Sequence, residues 1–323
     1  MGTTNKTSLI DTYQTYFSKQ LLKHAVQELH LNEFALQAEL PQKSGSDTIR
    51  FFRPSEADAS QVQTLSEGVV PGNFRNVTYT YIDVPLVQYG EVAKITDVVT
   101  MTALFDALTQ SIKTMGEDCA LHADTITRDV LAHPTAGLTK RYAQGLANFA
   151  ALDTATPSAG KITAADLLDA CTRLKVNRAP RKEGRYVAIV PPQVGRDIQR
   201  DPDWIDAAKY SNVQALYKGE LGMLYGVRII EATNPFIEST VEGTYDPAGD
   251  IYLTIVTGEG AYGTPKLAGT QSPSKPKIMI VNKPDSANPL NQWMTAGWKA
   301  YWAAKVLNPN YGIALRTKSE FAA

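Results

Sequence analysis

Lysine is absent from Ser44 through Ala93, although the 323-residue chain holds 32 lysines and arginines. No lysine amine is therefore available anywhere in that stretch. Cysteine is nearly absent too: Cys119 and Cys171 alone are too few for a disulfide framework or a cysteine metal site, and a reducing compartment is expected. A basic excess is missing. The net charge of -1 and pI near 6.4 argue against a protein that grips nucleic acid by neutralising phosphates, while leaving DNA possible as a neighbour. Nowhere do about 18 consecutive apolar residues occur, and Met1 to Leu40 lacks a basic start followed by an apolar run. The expectation is a soluble protein without a recognisable export signal. Neither G-x-x-x-x-G-K-[ST] nor G-x-S-x-G occurs, so phosphate-loop and esterase-elbow chemistry lack their local geometry. What remains is an ordinary globular composition, 43% hydrophobic and 20% charged, with chain enough for one large domain or two to three modest ones.

The lysine-free stretch reads as one two-armed β excursion. Its outgoing arm is Thr48 to Arg53 and its return arm is Asn76 to Val84, where Val77, Tyr79 and Tyr81 alternate with Thr78 and Thr80. Period-two alternation of β-branched and aromatic residues marks strands. The connection, Pro54 to Gly72, is acidic and polar around Leu65-Ser66-Glu67-Gly68 and is broken by Pro54, Gly68, Pro71 and Gly72, so it is no tight turn. At roughly 3.3 Å per residue such arms reach several tens of ångströms. A hairpin of that length has no core and is marginal alone in water. Its apolar face must lie either on its own domain or on another copy of the chain.

Around it, Phe17, Leu21, Leu22, Ala25, Val26, Leu29 and Leu36 predict an amphipathic helix over 17–36, after a polar arm. A second helix is predicted from Thr102 to Ala132, with Leu104, Leu108, Ile112, Met115, Ile126 and Val130 on its stripe and His133-Pro134 as its end. At about 30 residues it would run roughly 45 Å, the length of a spine in a flat body. Gly137 to Gly160 reads as a small-residue loop or boundary. Thr163 caps a helix from Ala164 to Val176, with Asp166 as box partner. Tyr186 to Val190, Gly226 to Ala232 and Ile251 to Val256 are strands, with a helix from Val194 to Arg200 between the first two, giving an α/β or α+β domain. The tail alternates Trp298, Ala300, Trp302, Ala304 and Val306 as one long strand, breaks at Asn308-Pro309 and resumes from Tyr311 to Arg316.

Candidate chemistry is sparse. Gly258 to Gly263 spells G-x-G-x-x-G after a strand, but a dinucleotide site needs that loop to open a helix, and Thr264 to Pro273 cannot be one. A strand-exit turn is expected. His24 and His30 lie six apart on the first helix and share no face, while His122 and His133 read as packing and end-of-helix residues. Cys119 and Cys171 read as small apolar fillers. Asp201, Asp203 and Asp206 could hold a metal, though a turn with capping acids is the commoner outcome. Trp293, Trp298, Tyr301 and Trp302 read as core, since no basic cluster accompanies them.

Several strings, taken in order, resemble one family. They are Leu65 to Val69, Gln88-Tyr89-Gly90, Asp201 to Tyr210, Gly219 to Gly222, Gly226-Val227-Arg228, Asn288 to Gln292 and Gly297 to Ala300. Together they are similar to the major capsid proteins of tailed phages, in the branch typified by coliphage N-four, across about residues 5 to 318. The resemblance implies an α+β chain of the Hong Kong 97-type capsid fold. Its expected parts are an N-terminal arm and helix (1–43), an extended loop (44–97), a peripheral domain with a spine helix (98–160), an axial domain (161–287), and a return strand and C-terminal strand (288–323). It implies a shell of hexamers and pentamers around double-stranded DNA, with copies of the chain, scaffolding protein, portal and a cement protein as partners. No catalytic, metal-binding or cofactor-binding residue is implied, and no membrane. Contact with the neighbouring subunit is expected from Arg53, Leu65, Glu67, Phe74, Arg75, Tyr79 and Tyr81 on the extended loop. The rival readings are an encapsulin-like compartment shell and an α/β enzyme.

Overall fold

The computed structural model of the chain describes residues 30–39, 47–55, 60, 62, 64–65, 67–68, 70, 78–103, 106–205, 220–266, 276–284 and 288–321. Fifteen strands lie within them. The first half holds β1 (Leu36–Ala38), β2 (Thr48–Pro54), β3 (Tyr79–Pro85), β4 (Val87–Thr96), β5 (Thr139–Tyr142) and β6 (Tyr186–Val190). There follow β7 (Glu220–Leu224), β8 (Val227–Glu231), β9 (Ile237–Glu238), β10 (Ile251–Thr257), β11 (Tyr262–Pro265) and β12 (Lys277–Val281). The last are β13 (Trp293–Trp302), β14 (Lys305–Val306) and β15 (Gly312–Lys318).

The main sheet has the order β5-β15-β10-β6-β8-β7, with β9 paired to the start of β10. It is mixed: β10 runs antiparallel to both β15 and β6, whereas β6–β8 and β15–β5 are parallel. Every residue of β6, β10 and β15 is buried, as strands covered on both faces require. Alternation sorts their side chains into two cores. Ala188, Val190, Ile229, Val256 and Leu315 face the helix Ala164–Val176, which presents Leu167, Ala170, Cys171 and Leu174. Ile189, Ile230, Leu253, Ile255 and Ala314 face the other way, onto Leu131, Ala132 and Phe236 and onto Leu31 and Phe34.

A second sheet, β12-β13-β4, is antiparallel throughout, with β4 paired to β13 along ten residues from Val87↔Trp302 to Thr96↔Trp293. The spine helix joins the two. It runs from Ala107 to Ala132 and is capped by Asp106, whose Oδ1 accepts from the backbone N–H of Leu108 and Thr109. Its first half lays Ile112, Met115 and Cys119 on Ile278, Ala296, Trp298 and Ala300, and its last turn enters the second core of the main sheet.

Several expectations hold. The capping box is complete, with Thr163 Oγ1 accepting from Asp166 N and Asp166 Oδ2 accepting from Thr163 N. The three sequence-predicted core strands appear as β6, β8 and β10, and of the four aromatics expected in the core Trp298 and Trp302 are buried while Trp293 and Tyr301 are half-buried. The G-x-G-x-x-G string is a strand-exit turn: Gly258 N donates to Tyr311 O, Glu259 N donates to Pro180 O, and β11 follows where a dinucleotide site needs a helix.

Others are corrected. The helix predicted over 17–36 does not reach its end: residues 30–35 are turn and bend, and Leu36 opens β1, parallel to β11, because Leu31 and Phe34 plug the second core. Residues 17–29, with His24, lie outside the described residues. The spine helix begins at Ala107 and not at Thr102; Asp97–Thr102 forms a separate short helix capped by Thr96. Gly137 to Gly160 is no loop but β5 plus short helical turns, with Leu138, Ala143, Phe149 and Leu152 buried. The tail strand is β13 and then β14, interrupted after Trp302. Strand pairing also crosses the boundaries drawn at 160 and 287, since β5 and β15 join the main sheet while β12 pairs with β13.

Candidate interaction surface on the excursion

The two arms of the excursion pair with each other, β2 antiparallel to β3, from Thr48↔Pro85 to Pro54↔Tyr79. Ser55 N donates to Thr78 O and Leu86 N to Asp47 O, which extends the ladder by one step at each end. The ribbon has two unlike faces. Ile49, Phe51 and Val84 are buried with Leu307 against Ala38, Ile82, Leu86 and Ala303. This face sits on the chain's own body, and it does so because Gly263 of β11 leaves room: a Cβ there would stand 2.6 Å from Phe51 Cζ. Lys305 Nζ donates to Asp83 O at the same seam. Own-domain packing, one of the two open readings, therefore accounts for one face only.

The other face carries Arg50, Phe52, Tyr79, Tyr81 and Asp83, and it is uncovered. Phe52 is 65% exposed, Tyr79 55% and Tyr81 56%. Phe52 and Tyr81 are register partners whose rings meet edge to face at 5.5 Å, so they form one aromatic platform. Arg50 holds Asp83 through two hydrogen bonds, of 2.6 and 2.9 Å, and lies over the Tyr81 ring. The hydrogen bond from Arg50 holds the Asp83 carboxyl below its ordinary range. In the connection, every described residue from 60 to 70 is exposed, including Val62, Leu65, Glu67 and Val70. Three large aliphatic side chains at 73–80% exposure on one connection are an apolar surface without a cover in the isolated chain.

Of the seven residues expected to form the contact, Tyr79 and Tyr81 lie on the aromatic platform, and Leu65 and Glu67 are exposed on the connection. Arg53 is half-buried and falls on the opposite face, with Phe51 and Ile49. Phe74 and Arg75 lie outside the described residues. Sequence reading missed Phe52, Arg50, Asp83, Val62 and Val70. A register count from Pro54↔Tyr79 would have found the first three, because it puts Phe52 across from Tyr81 and Arg50 across from Asp83.

The other chemical candidates resolve into structural roles. Cys119 is buried, which pushes its thiol up to about 12, and the buried Cys171 thiol donates to Tyr225 O. His133 ends the spine helix, where its Nδ1 accepts from the N–H groups of Thr135 and Ala136. His122 meets the Tyr89 ring edge to face. Asp201 caps two segments, accepting from Ala164 N and Asp203 N, while Asp206 lies outside the described residues. Among the described residues no three His, Cys, Asp or Glu side chains gather as metal ligands.

No family model matches the chain. Solved structures do: it superposes on the capsid of cyanophage P-SCSP1u with a TM-score of 0.61 and 17% identity, covering 91% of this chain and 88% of that one. The capsid of Ralstonia phage GP4 gives 0.60 and 14%, covering 86% and 85%. The capsid of Helicobacter pylori bacteriophage KHP30 gives 0.60 and 10%, covering 86% of each. The chain thus has the Hong Kong 97-type fold of phage capsid proteins. In sequence it is similar to the major capsid protein of Escherichia phage T5, 26% identical over 227 residues that cover 68% of this chain. That match spans about half of the relative's length, 47%. Fold and sequence comparison both place the resemblance with tailed-phage major capsid proteins.

Proposed function

We propose that the chain is the major capsid subunit of a tailed phage, which self-associates into hexamers and pentamers of an icosahedral shell around double-stranded DNA. The observation that carries this is the excursion on a capsid fold: an uncovered aromatic platform and an apolar connection that its own body does not bury. In this reading Leu65, Glu67, Tyr79 and Tyr81, with Phe52, Val62 and Val70, lie on the neighbouring subunit. Phe74 and Arg75 belong to the same contact, whereas Arg53, on the face that sits on the chain's own body, does not. Scaffolding protein, portal and a cement protein complete the assembly, and the near-neutral net charge suits a wall that must not hold its genome tightly. The work of such a subunit is fit between copies and not catalysis.

Expression of the full chain followed by sedimentation and electron microscopy tests this. Wild type is expected to close into shells, and a variant with residues 56–72 replaced by a short turn to stay folded as small oligomers. Small closed oligomers of the wild type would favour an enzyme. Shells filled with cargo protein and lacking a portal would favour a compartment. Normal shells from the loop-deleted variant would remove the excursion from the contact.

A further inference from the structure

At the outer edge of the main sheet, beside the helix Ala164–Val176, lies a cavity of about 160 Å³ lined by Lys140, Arg141, Tyr142, Asp166, Asp169 and Arg173 among others. Most of its polar groups are engaged. Lys140 pairs with Glu242 at 2.9 Å, and Tyr142 donates its hydroxyl to the same carboxylate. Asp166 accepts from Gln144 N, Thr163 N and Thr163 Oγ1, and burial pushes its carboxyl up toward the neutral form. The two arginines are different. Arg141 Nε is buried and has no acceptor, and no described carboxylate forms an ion pair with either guanidinium. Burial first, and then the charge of Arg173, lower the affinity of Arg141 for its proton, with Asp169 opposing. Two guanidiniums that repel each other in one cavity, one with a buried orphan donor, are an arrangement that an outside acceptor would complete.

We propose that Arg141 and Arg173 form an oxyanion site that receives a side-chain carboxylate from a second copy of this chain, an inference that rests on the shell reading above. β5, which carries Arg141, is the edge strand of the main sheet, so the site opens where another copy can approach. Forked guanidinium donors suit a planar carboxylate. A DNA backbone suits the site poorly, because Asp166 and Asp169 share the lining and a run of phosphates would face them as well. The chain itself supplies 33 Asp and Glu, against a net charge of -1.

The test uses the full chain and its Arg141→Gln and Arg173→Gln variants. Unassembled subunits should melt at the wild-type temperature in each variant, because no internal partner is lost. Their shells should dissociate at least about tenfold faster than wild type, as expected for loss of a charge-assisted pair at an interface. Inorganic phosphate, titrated at fixed ionic strength into unassembled wild type, should bind at least about tenfold more tightly than to Arg141→Gln. Variant shells as durable as wild type would overturn the proposal, and so would phosphate binding that is absent or equal in the variant. A defect confined to DNA-filled shells would assign the site to phosphate of the genome and overturn it too. If wild type forms no shells at all, the shell reading fails separately, and the phosphate titration still decides whether the site exists.

Discussion

Arg316 of β15 and Glu238 of β9 are paired at 2.7 Å with side chains 0% and 1% exposed, the most deeply buried ion pair among the described residues. The pair is fully hydrogen-bonded on the acid side, since Glu238 Oε1 also accepts from Gly243 N. On the basic side Arg316 Nη2 donates to Ala132 O, the last residue of the spine helix. One guanidinium thus ties the C-terminal strand to the end of the spine. Arg316→Met leaves Glu238 charged and dry and should cost about 3–5 kcal/mol, whereas after Glu238→Gln the guanidinium keeps Glu242 at 3.6 Å and the loss should be smaller. Chemical denaturation of the unassembled subunit measures this. The double variant Arg316→Met with Glu238→Leu should recover a large part of the loss, and a double variant as weak as the sum would contradict a pairwise account.

Asp124 predicts a pH dependence. It sits on the spine helix, 2% exposed, where its Oδ1 accepts from Leu31 N and its Oδ2 from Asn234. Burial raises its pKa, which those hydrogen bonds and the charges of His30 and Arg128 oppose. The folded state therefore holds this proton more tightly than the unfolded state does. Stability from this group is present at low pH and is lost as pH rises from the ordinary carboxylate range through the raised folded value. Asp124→Asn keeps an oxygen for Leu31 N and carries no charge. Its stability relative to wild type should climb across that window and be at least equal at neutral pH, as read from denaturation midpoints at a series of pH values. A wild type that gains on the variant with rising pH would show that the carboxylate is the preferred form.

The parts of this fold that were legible in the sequence are those whose causes are local. Thr163 with Asp166, and the apolar runs of β6 and β10, announce themselves within a few residues. The misreadings share a different cause. Gly137 and Gly160 look like loop residues, but a Cβ at Gly137 would stand 2.3 Å from His133 O and one at Gly160 3.2 Å from Lys318 side-chain atoms. Gly137 is small because backbone passes close by and Gly160 because the Leu152 and Lys318 side chains do, and not because the chain is loose. The second half of the spine helix buries Asp124 and Arg128 beside Leu131, so an apolar stripe drawn through Ile126 and Val130, both only half-buried, follows the wrong face. Their partners are remote: Arg128 bonds Asn234 and Pro235, stacks on Phe236 and Tyr245, and Arg316 meets Glu238 across 78 positions. On the excursion, alternation identified the strands. It left open which of Phe51 and Phe52 faces outward, because that depends on Leu307 and Gly263, more than 200 residues downstream.

The seat of the ribbon makes a third prediction. Phe51 is held between Gly263 and Leu307, so Gly263→Val forces a clash that only outward movement of the β2–β3 pair relieves. Overpacking of this kind costs about 1–3 kcal/mol. Since the clash is at the ribbon, protease cleavage between Ser55 and Thr78 should accelerate several-fold, while the denaturation midpoint of the main sheet moves less. Unchanged cleavage would mean that the ribbon is not held by this seat.

The last prediction concerns covalent linkage. The type member of this fold welds its shell by isopeptide bonds between a lysine on the extended loop and an asparagine of another subunit. Here the connection and both arms lack lysine from Ser44 to Ala93. The next lysine, Lys94, lies on β4 opposite Thr295, with its Nζ 3.6 Å from the centre of the Trp293 ring. The stacking holds this side chain on β4 and away from the ribbon's tip. A shell of this chain must hold by buried area and strand pairing, for which interfaces of about 1,600 Å² repeated around each subunit suffice. Boiling assembled particles in detergent should release one band at 35.3 kDa. A ladder of pentamers and hexamers that survives boiling would show a linkage through other residues, and its loss in Lys94→Arg would locate it on β4 despite the stacking.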